Sequence, residues 1–390
     1  MPGEARTIPV RMHVYQTAIP TKGFEHAAAT RDLAESVVVR MEFRGGGVGW
    51  GETLPRPYVT GETLETVVED LAGVFWPAIA GREVVPEDIG RIAAAAATGK
   101  RLMNAAACAA EMAIALGDCA SSSQGTVPAF PSSERRGLSP LLSLRVSGVL
   151  GSGDPARTAR KVRLMRWYGL KDFKLKLGFS DAVDAENLRI VWKKLHRGIR
   201  SGKCTLRADI NSAWPATAVP DRVAGLAEYG VCVVEQPADL TAAEMAALAP
   251  RCKLPLMADE TLLPARAAEA LLAEPRVWWN IRMSKNGGFG PALALCRRAA
   301  ERGIPFVVGS MVGESGILAA AMRRLLEVAP APRFVEGNYG RFFLKDDLTQ
   351  PSLRFGYGGR MKSLPGPGLG VRVDEKKLQR YGKLVKTLTA

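Results

Sequence analysis

Asp209, Glu235 and Asp259 stand 26 and 24 residues apart, and Lys285 follows 26 residues later. Each closes an apolar run, in Arg207-Ala208-Asp209-Ile210-Asn211, Val234-Glu235-Gln236-Pro237, Met257-Ala258-Asp259-Glu260-Thr261 and Arg282-Met283-Ser284-Lys285-Asn286-Gly287-Gly288. One strand plus one helix takes about that length, so successive units of a (β/α)8 barrel would carry all four groups to one mouth, at the C-terminal strand ends. Carboxylates gathered there repel one another unless a hard cation sits between them, and oxygen ligands favour Mg²⁺, or Mn²⁺ in its place, over Zn²⁺. Upstream, Lys174-Leu175-Lys176 puts two ammonium groups on one face of a strand, directed into the barrel. Like-charge repulsion and burial are expected to lower the pKa there and leave one amine usable as a base. Lys176 on the second strand and Lys285 after the sixth would flank a substrate carboxylate from opposite sides. This set suits removal of a proton α to a carboxylate, with the cation stabilising the enediolate while a lysine takes the proton.

Taken singly, a strand-end Asp or Glu is an ordinary cap or ion-pair partner, and Lys-Leu-Lys is an ordinary solvent-facing strand pattern. Five elements in register on consecutive units are not ordinary. The elements that must position them are visible as short apolar runs alternating with amphipathic stretches. Strands are expected at 142–147, 173–177, 205–210, 231–235, 254–258, 278–283, 305–309 and 333–336. Ser180 reads as the N-cap of a helix whose Leu188, Val191, Trp192 and Leu195 make one apolar face. Before this barrel, 36–43 and 48–52 read as a hairpin around Arg44-Gly45-Gly46-Gly47, followed by an Ala-rich helical region. The expected organisation is an N-terminal α+β capping domain over 1–125, a Ser/Pro/Gly-rich linker over 126–140, the barrel domain over 141–345, and a C-terminal segment over 346–390 that returns to the cap.

The chain of 390 residues carries 53 Lys plus Arg against 39 Asp plus Glu, a formal charge of +14. Such a surface attracts anions, nucleic acid and small carboxylates alike. No aromatic-interleaved basic strand or recognition helix accompanies the charge, so a nucleic-acid partner is not expected. The six cysteines show no CxxC pair and no His at metal spacing, which reads as reduced thiols in a cytoplasmic protein. The N-terminus lacks the regions of a secretory signal, and the Ala-rich stretch is interrupted by Glu111 and too short to span a membrane.

Together, Lys174-Leu175-Lys176, Asp209 with Asn211, Glu235-Gln236-Pro237, Asp259-Glu260 and Lys285-Asn286-Gly287-Gly288 resemble the enolase superfamily in its muconate-lactonizing branch. The resemblance extends over nearly the whole chain, through Gly49-Trp50-Gly51-Glu52 near one end and Gly366-Pro367-Gly368-Leu369-Gly370 near the other. It implies a modified TIM barrel under a capping domain, an acid/base pair of Lys176 and Lys285, Lys174 tuning Lys176, Mg²⁺ on Asp209, Glu235 and Asp259, and Asn211 and Glu260 in support. It also implies a homo-oligomer. The implied activity is that of an isomerase or lyase of a small carboxylate, muconate cycloisomerase-like. Epimerization of dipeptides or N-acylamino acids and o-succinylbenzoate-type dehydration share the same first step. A non-catalytic metal-binding barrel and a basic nucleic-acid-associated protein are the remote alternatives.

The chain departs from relatives in three ways. Only His13, His26 and His196 are present, none at a barrel strand end, which disfavours branches with a His base. Dipeptide epimerases carry two aspartates at the eighth strand where this chain reads Glu336-Gly337-Asn338, and an extra Gly313 precedes Glu314 near Ser310. Two cap segments, 21–26 and 54–61, are expected as mobile lid loops. They supply His26, Arg56 and Tyr58 as candidate substrate contacts beside Ser310, Glu336 and Asn338.

Overall fold

A computed structural model of the chain describes residues 6–26, 29–97, 102–117, 143–263 and 265–390, and at 23–26, 29–31, 265 and 266 the backbone alone. The expected linker and Cys119 lie outside the described residues. The alternation of the N-terminal sequence produces β1 (Pro9–His26), β2 (Ala29–Phe43) and β3 (Val48–Thr53), paired antiparallel in that order. Gly49 and Gly51 share the face that meets the helix Asn104–Ala115. A Cβ on either would fall within 2 Å of the carbonyl oxygen of Ala113 or Ala109, so only Gly-x-Gly against an Ala-rich helix permits this approach. Val37, Val39, Phe75, Ile79 and the helix's alanines form a separate core in this layer.

The segment 21–26, expected as a loop, continues β1 and pairs with β2 through Phe24↔Arg31, Glu25↔Thr30 and His26↔Ala29. The base of this hairpin arm is tied to the far side of the molecule: Lys22 donates its N–H to the Phe343 carbonyl at 2.8 Å, and Lys345 to that of Pro20.

The second sheet is the barrel. Its eight parallel strands run in sequence order, β4 (Gly148–Leu150), β5 (Asp172–Lys176), β6 (Thr205–Asp209), β7 (Val231–Glu235), β8 (Leu256–Ala258), β9 (Val277–Ile281), β10 (Phe306–Val308) and β11 (Phe334–Val335). A parallel bridge between Val146 and Val335 closes the ring. The first strand forms later than the expected 142–147, because Arg145 and Val146 instead make the bridges to Arg360 and Val335. Ser180 caps the helix Asp181–Arg200 by accepting from the Val183 N–H, and Leu188, Val191 and Leu195 are buried beneath it, with Trp192 half-buried.

Seven strands are each followed by a helix. Among the described residues the eighth is not: after β11 the chain makes only the short 3₁₀ turns Gly340–Phe342 and Tyr357–Gly359 along the barrel wall. It then forms the helix Glu375–Tyr381 and β14 (Gly382–Thr389), which pairs antiparallel with β1, beyond a two-stranded ladder of β12 (Thr349–Gln350) and β13 (Arg372–Val373). Among the described residues no helix is long and apolar enough to cross a membrane.

Candidate active site

Period-two alternation places Lys174 and Lys176 on the inner face of β5, where both are at least nine-tenths buried. Lys176 Nζ donates to Asp209 Oδ2 at 3.0 Å and to Asn211 Oδ1 at 2.7 Å. Lys174 Nζ lies 3.2 Å from Asp209, 3.2 Å from Glu235 and 2.5 Å from Glu336. Burial pulls Lys174 down, but Glu235, Glu336 and Asp209 outweigh it, so its ammonium is held well above its ordinary value. The depression expected from the Lys-Leu-Lys pairing therefore does not occur at Lys174, because three carboxylates lie closer to it than solvent does. Lys285 is the lysine whose pKa is lowered. It is fully buried, and burial dominates over the attraction of Asp259.

Lys285 sits in the short helix Met283–Asn286 after β9, four strands round the ring from β5. Its three N–H bonds go to the Asp259 carbonyl at 2.6 Å, Asp259 Oδ1 at 3.0 Å and the Asn280 carbonyl at 2.8 Å. The cap holds this segment in place. Ser284 Oγ accepts from the Leu54 N–H at 2.9 Å, and Asn104 donates to the Lys285 carbonyl at 2.9 Å. Gln236, with φ of 37°, accepts from the N–H groups of Asp259 and Thr261 and so sets the turn that carries Asp259 and Glu260.

Asp209, Glu235 and Asp259 are completely buried on consecutive strands, with Asp209 paired to Glu235 in register. As placed, no three Asp, Glu, His or Cys side chains among the described residues converge tightly enough to hold a metal ion. The reason is a residue that the sequence reading left without a role. Arg282 puts its guanidinium between two of the carboxylates, 3.4 Å from Glu235 and in contact with Asp259, while Lys174 stands between Glu235 and Asp209. The repulsion expected to demand a cation is met here by two cationic side chains. Burial raises Glu235 to about 8, with Asp209 adding to the shift, while Lys176 and Lys174 overcome burial to hold Asp209 below the ordinary carboxylate range.

Arg207 is the other site residue not singled out. It shares the inner face of β6 with Asp209, a position the alternation alone specifies, and pairs with Glu336 at 2.5 Å beneath a 4.3 Å stack on Phe334. Asn280, on the inner face of β9, donates to Glu235 Oε1 at 2.6 Å.

A cavity of about 590 Å³ opens on this cluster. Lys174, Lys176, Asn211, Glu260, Arg282 and Glu336 border it, and Asp209, Glu235, Asp259 and Lys285 do not. Of the proposed substrate contacts, Tyr58, Ser310, Arg56 and Asn338 also border it. Arg56 is buried and donates to the carbonyls of Glu35, Pro55 and Val312. Asn338 accepts from Arg323 at 2.7 Å. Glu336 is ion-paired to Lys174 and Arg207. The His26 side chain lies outside the described residues. Gly313, at φ 104°, turns the chain against Ala34, and Ser315 caps the helix Gly316–Val328.

Residues 157–377 match the model of the enolase C-terminal domain-like family. The chain is 30% identical to the L-Ala-D/L-Glu epimerase of Bacillus subtilis, over 93% of this chain and 96% of that one. It is 27% identical to a chloromuconate cycloisomerase of Cupriavidus pinatubonensis, over 89% and 91%. Its fold superposes with a TM-score of 0.79 on a dipeptide epimerase from Cytophaga hutchinsonii complexed with Mg and the dipeptide D-Ala-L-Val, at 20% identity and covering 98% and 99% of the two chains. With a family match over more than half its length and a near-full-length relative at this identity, the chain belongs to the enolase superfamily and is an enzyme of it.

Proposed function

We propose that the chain abstracts the proton α to a substrate carboxylate, with Lys176 and Lys285 acting from opposite faces, and so racemises, epimerises or cycloisomerises a small carboxylate. The observation that carries this reading is the pair of buried lysines four strands apart, with three buried carboxylates on the strands between. Lys176 holds its amine beside Asn211 at the cavity wall, where it can take a proton. Lys285, its pKa lowered by burial, can exchange one from the other side. Lys174, kept charged by three carboxylates, offers a fixed positive charge to the substrate carboxylate.

The donor set fits a divalent cation. Asp209, Glu235 and Asp259 provide hard oxygens, and Glu260 Oε2 beside them is buried without a hydrogen-bond partner. A bound Mg²⁺ would supply charge stabilisation for the second negative charge that grows on the carboxylate as the proton leaves. The same reading carries a cytoplasmic homo-oligomer, consistent with five free thiols among the described cysteines.

The test is incubation in D₂O with Mg²⁺ and a panel of carboxylates, read by mass shift. Deuterium is expected at the α-carbon of at least one compound, with Lys176→Ala abolishing uptake from one enantiomer and leaving that from the other to Lys285. Uptake that survives from both enantiomers in Lys176→Ala would remove that lysine from the role.

A further inference from the structure

Seven large apolar side chains are exposed among the described residues, and four of them, Leu164, Trp167, Phe342 and Tyr357, lie on one wall of the barrel. It is the wall left without an eighth helix. Leu164 and Trp167 belong to the helix Pro155–Trp167 that follows β4, and Phe342 and Tyr357 to the 3₁₀ turns after β11. Tyr168 joins the two sides: its ring lies 5.4 Å from that of Phe342 and 5.8 Å from that of Tyr357, and its carbonyl accepts from the Gly358 N–H at 2.8 Å. Trp167 is 76% exposed, Tyr357 66%, Leu164 62% and Phe342 37%. Side chains of this size lose free energy in water, and a cluster of them marks a surface that something covers.

The same wall is strongly cationic. Segments 155–171, 337–345 and 351–362 contain eleven Lys and Arg and no Asp or Glu, in a chain whose whole excess is 14. The carboxylates that flank them are already engaged: Asp154 accepts from the Ala156 N–H at 2.8 Å, Asp172 from the Thr205 hydroxyl at 2.6 Å and Asp346 from Lys377 at 2.6 Å. Charge and apolar surface are interleaved. On the helix, Arg160, Arg163, Leu164 and Trp167 stand at i, i+3, i+4 and i+7, a single stripe turned to solvent. Arg354 stacks over Phe342 at 5.1 Å. Where the wall meets the active-site cavity, Lys22 and Lys161 line it together with Leu164, Trp167 and Phe342. A cation in the last helical turn, as Arg166 is, complements the helix dipole, but that accounts neither for Trp167 in water nor for a wall without a carboxylate.

We propose that this wall docks on an anionic phospholipid bilayer, with the protein lying on the membrane surface rather than in it. Anionic headgroups neutralise the arginines and lysines while Trp167, Tyr357 and Leu164 enter the interface, the level at which such side chains settle. Two copies of the wall pressed together would set eleven cations against eleven, so a self-complementary contact is repelled. A nucleic-acid duplex would meet the cations but would set Leu164 and Trp167 against phosphate. The inference is independent of the reaction at the barrel mouth.

The experiment sediments the full-length protein with vesicles of phosphatidylglycerol and phosphatidylcholine in equal parts, and with vesicles of phosphatidylcholine alone. At low salt, partitioning onto the anionic vesicles is expected to be at least about tenfold stronger, and to fall as salt screens the headgroups. Arg163→Gln should weaken it about fivefold and Trp167→Ala about tenfold; both positions are exposed, and unchanged melting temperatures show that the variants fold. Lys253→Gln, an exposed cation before β8 on the opposite side of the ring, should change it by less than about twofold. An equal loss in Lys253→Gln would assign the binding to net charge and overturn the site, and so would equal binding to both kinds of vesicle. Binding that ignores Trp167→Ala and is displaced by duplex DNA overturns it in favour of a nucleic acid. A mass by sedimentation equilibrium that falls in Trp167→Ala without vesicles overturns it in favour of a second copy of the chain.

Discussion

Two sets of buried carboxylates are held in opposite ways. At the barrel mouth Asp209, Asp259 and Glu336 lie against lysine and arginine, and those cations overcome burial to hold all three below the ordinary carboxylate range, Glu336 at about 2. In and beneath the cap, Glu52, Glu62 and Glu111 are met mainly by backbone N–H groups. Glu111 accepts from Phe289 and Gly290 at the start of the helix Phe289–Glu301, and Glu62 from Ala105 and Ala106. Glu52 accepts from Ser315 and Leu318 at the start of Gly316–Val328, with Ser36 and Ser315 hydroxyls added. Burial raises all three to about 7 in spite of these bonds. Helix N-termini position these carboxylates without offsetting burial, and cations offset it at Asp209, Asp259 and Glu336 but not at Glu235, which burial and Asp209 raise to about 8. The molecule uses the first arrangement where charge has work to do and the second where the cap must dock on the barrel.

The largest effects should come from the mouth. Lys176→Ala is expected to lower α-proton exchange by about 10³-fold for the enantiomer whose proton faces it, the usual worth of a positioned base. Glu235→Gln should abolish Mg²⁺ binding measured by titration calorimetry, whereas Glu111→Gln should leave it intact; equal losses would erase the distinction between the two sets. Arg282→Met removes the guanidinium that stands between Glu235 and Asp259. It should lower the melting temperature in chelator, by about 3–5 kcal/mol of stability, because buried carboxylates lose their partner. It should also enlarge the rise in melting temperature that Mg²⁺ produces, since a bound ion stabilises only the folded state. A smaller Mg²⁺ response than wild type would mean that Arg282 supports the cation rather than occupying its place.

What the sequence makes legible follows from periodicity. Strand spacing near 25 residues located Asp209, Glu235, Asp259 and Lys285, and alternation turned Lys174 and Lys176 inward. The same alternation applied to Arg207, two residues before Asp209, and to Asn280 and Arg282 would have exposed the arginines, which an emphasis on the carboxylates overlooked. Other features are not local properties of sequence. That Lys174 is pushed up rather than down depends on Glu235 and then on Glu336, which lies 162 positions away and meets it only because the ring closes between Val146 and Val335. The missing eighth helix is equally non-local, since the Gly- and Pro-rich stretch after Glu336 says where a helix cannot form but not which wall it leaves open.

The smallest effect separates the two sets by pH. Glu52, Glu62 and Glu111 titrate near 4.5 when unfolded and about 7 when folded, so between those values the native state binds more protons than the unfolded chain. Stability contributed by these groups is then fully present below about 4.5 and declines as pH rises to about 7, by at most about 3 kcal/mol per group. Asp209, Asp259 and Glu336 work the other way: their contribution is present above about 4.5 and is lost as acid protonates them below it. Glu235, Glu260 and Glu314 are also raised, to between about 7 and 8, and share the cap's direction, so the readout is the difference between variants. In urea titrations from pH 4.5 to 7.5, wild type should lose stability with rising pH and Glu111→Gln should lose less. The amide costs a constant amount by leaving one helix N–H poorly paired, but it has no proton to release. A parallel decline in the two proteins would show that the Phe289 and Gly290 N–H groups keep Glu111 ionised unaided, and the contrast between cations and helix ends would collapse.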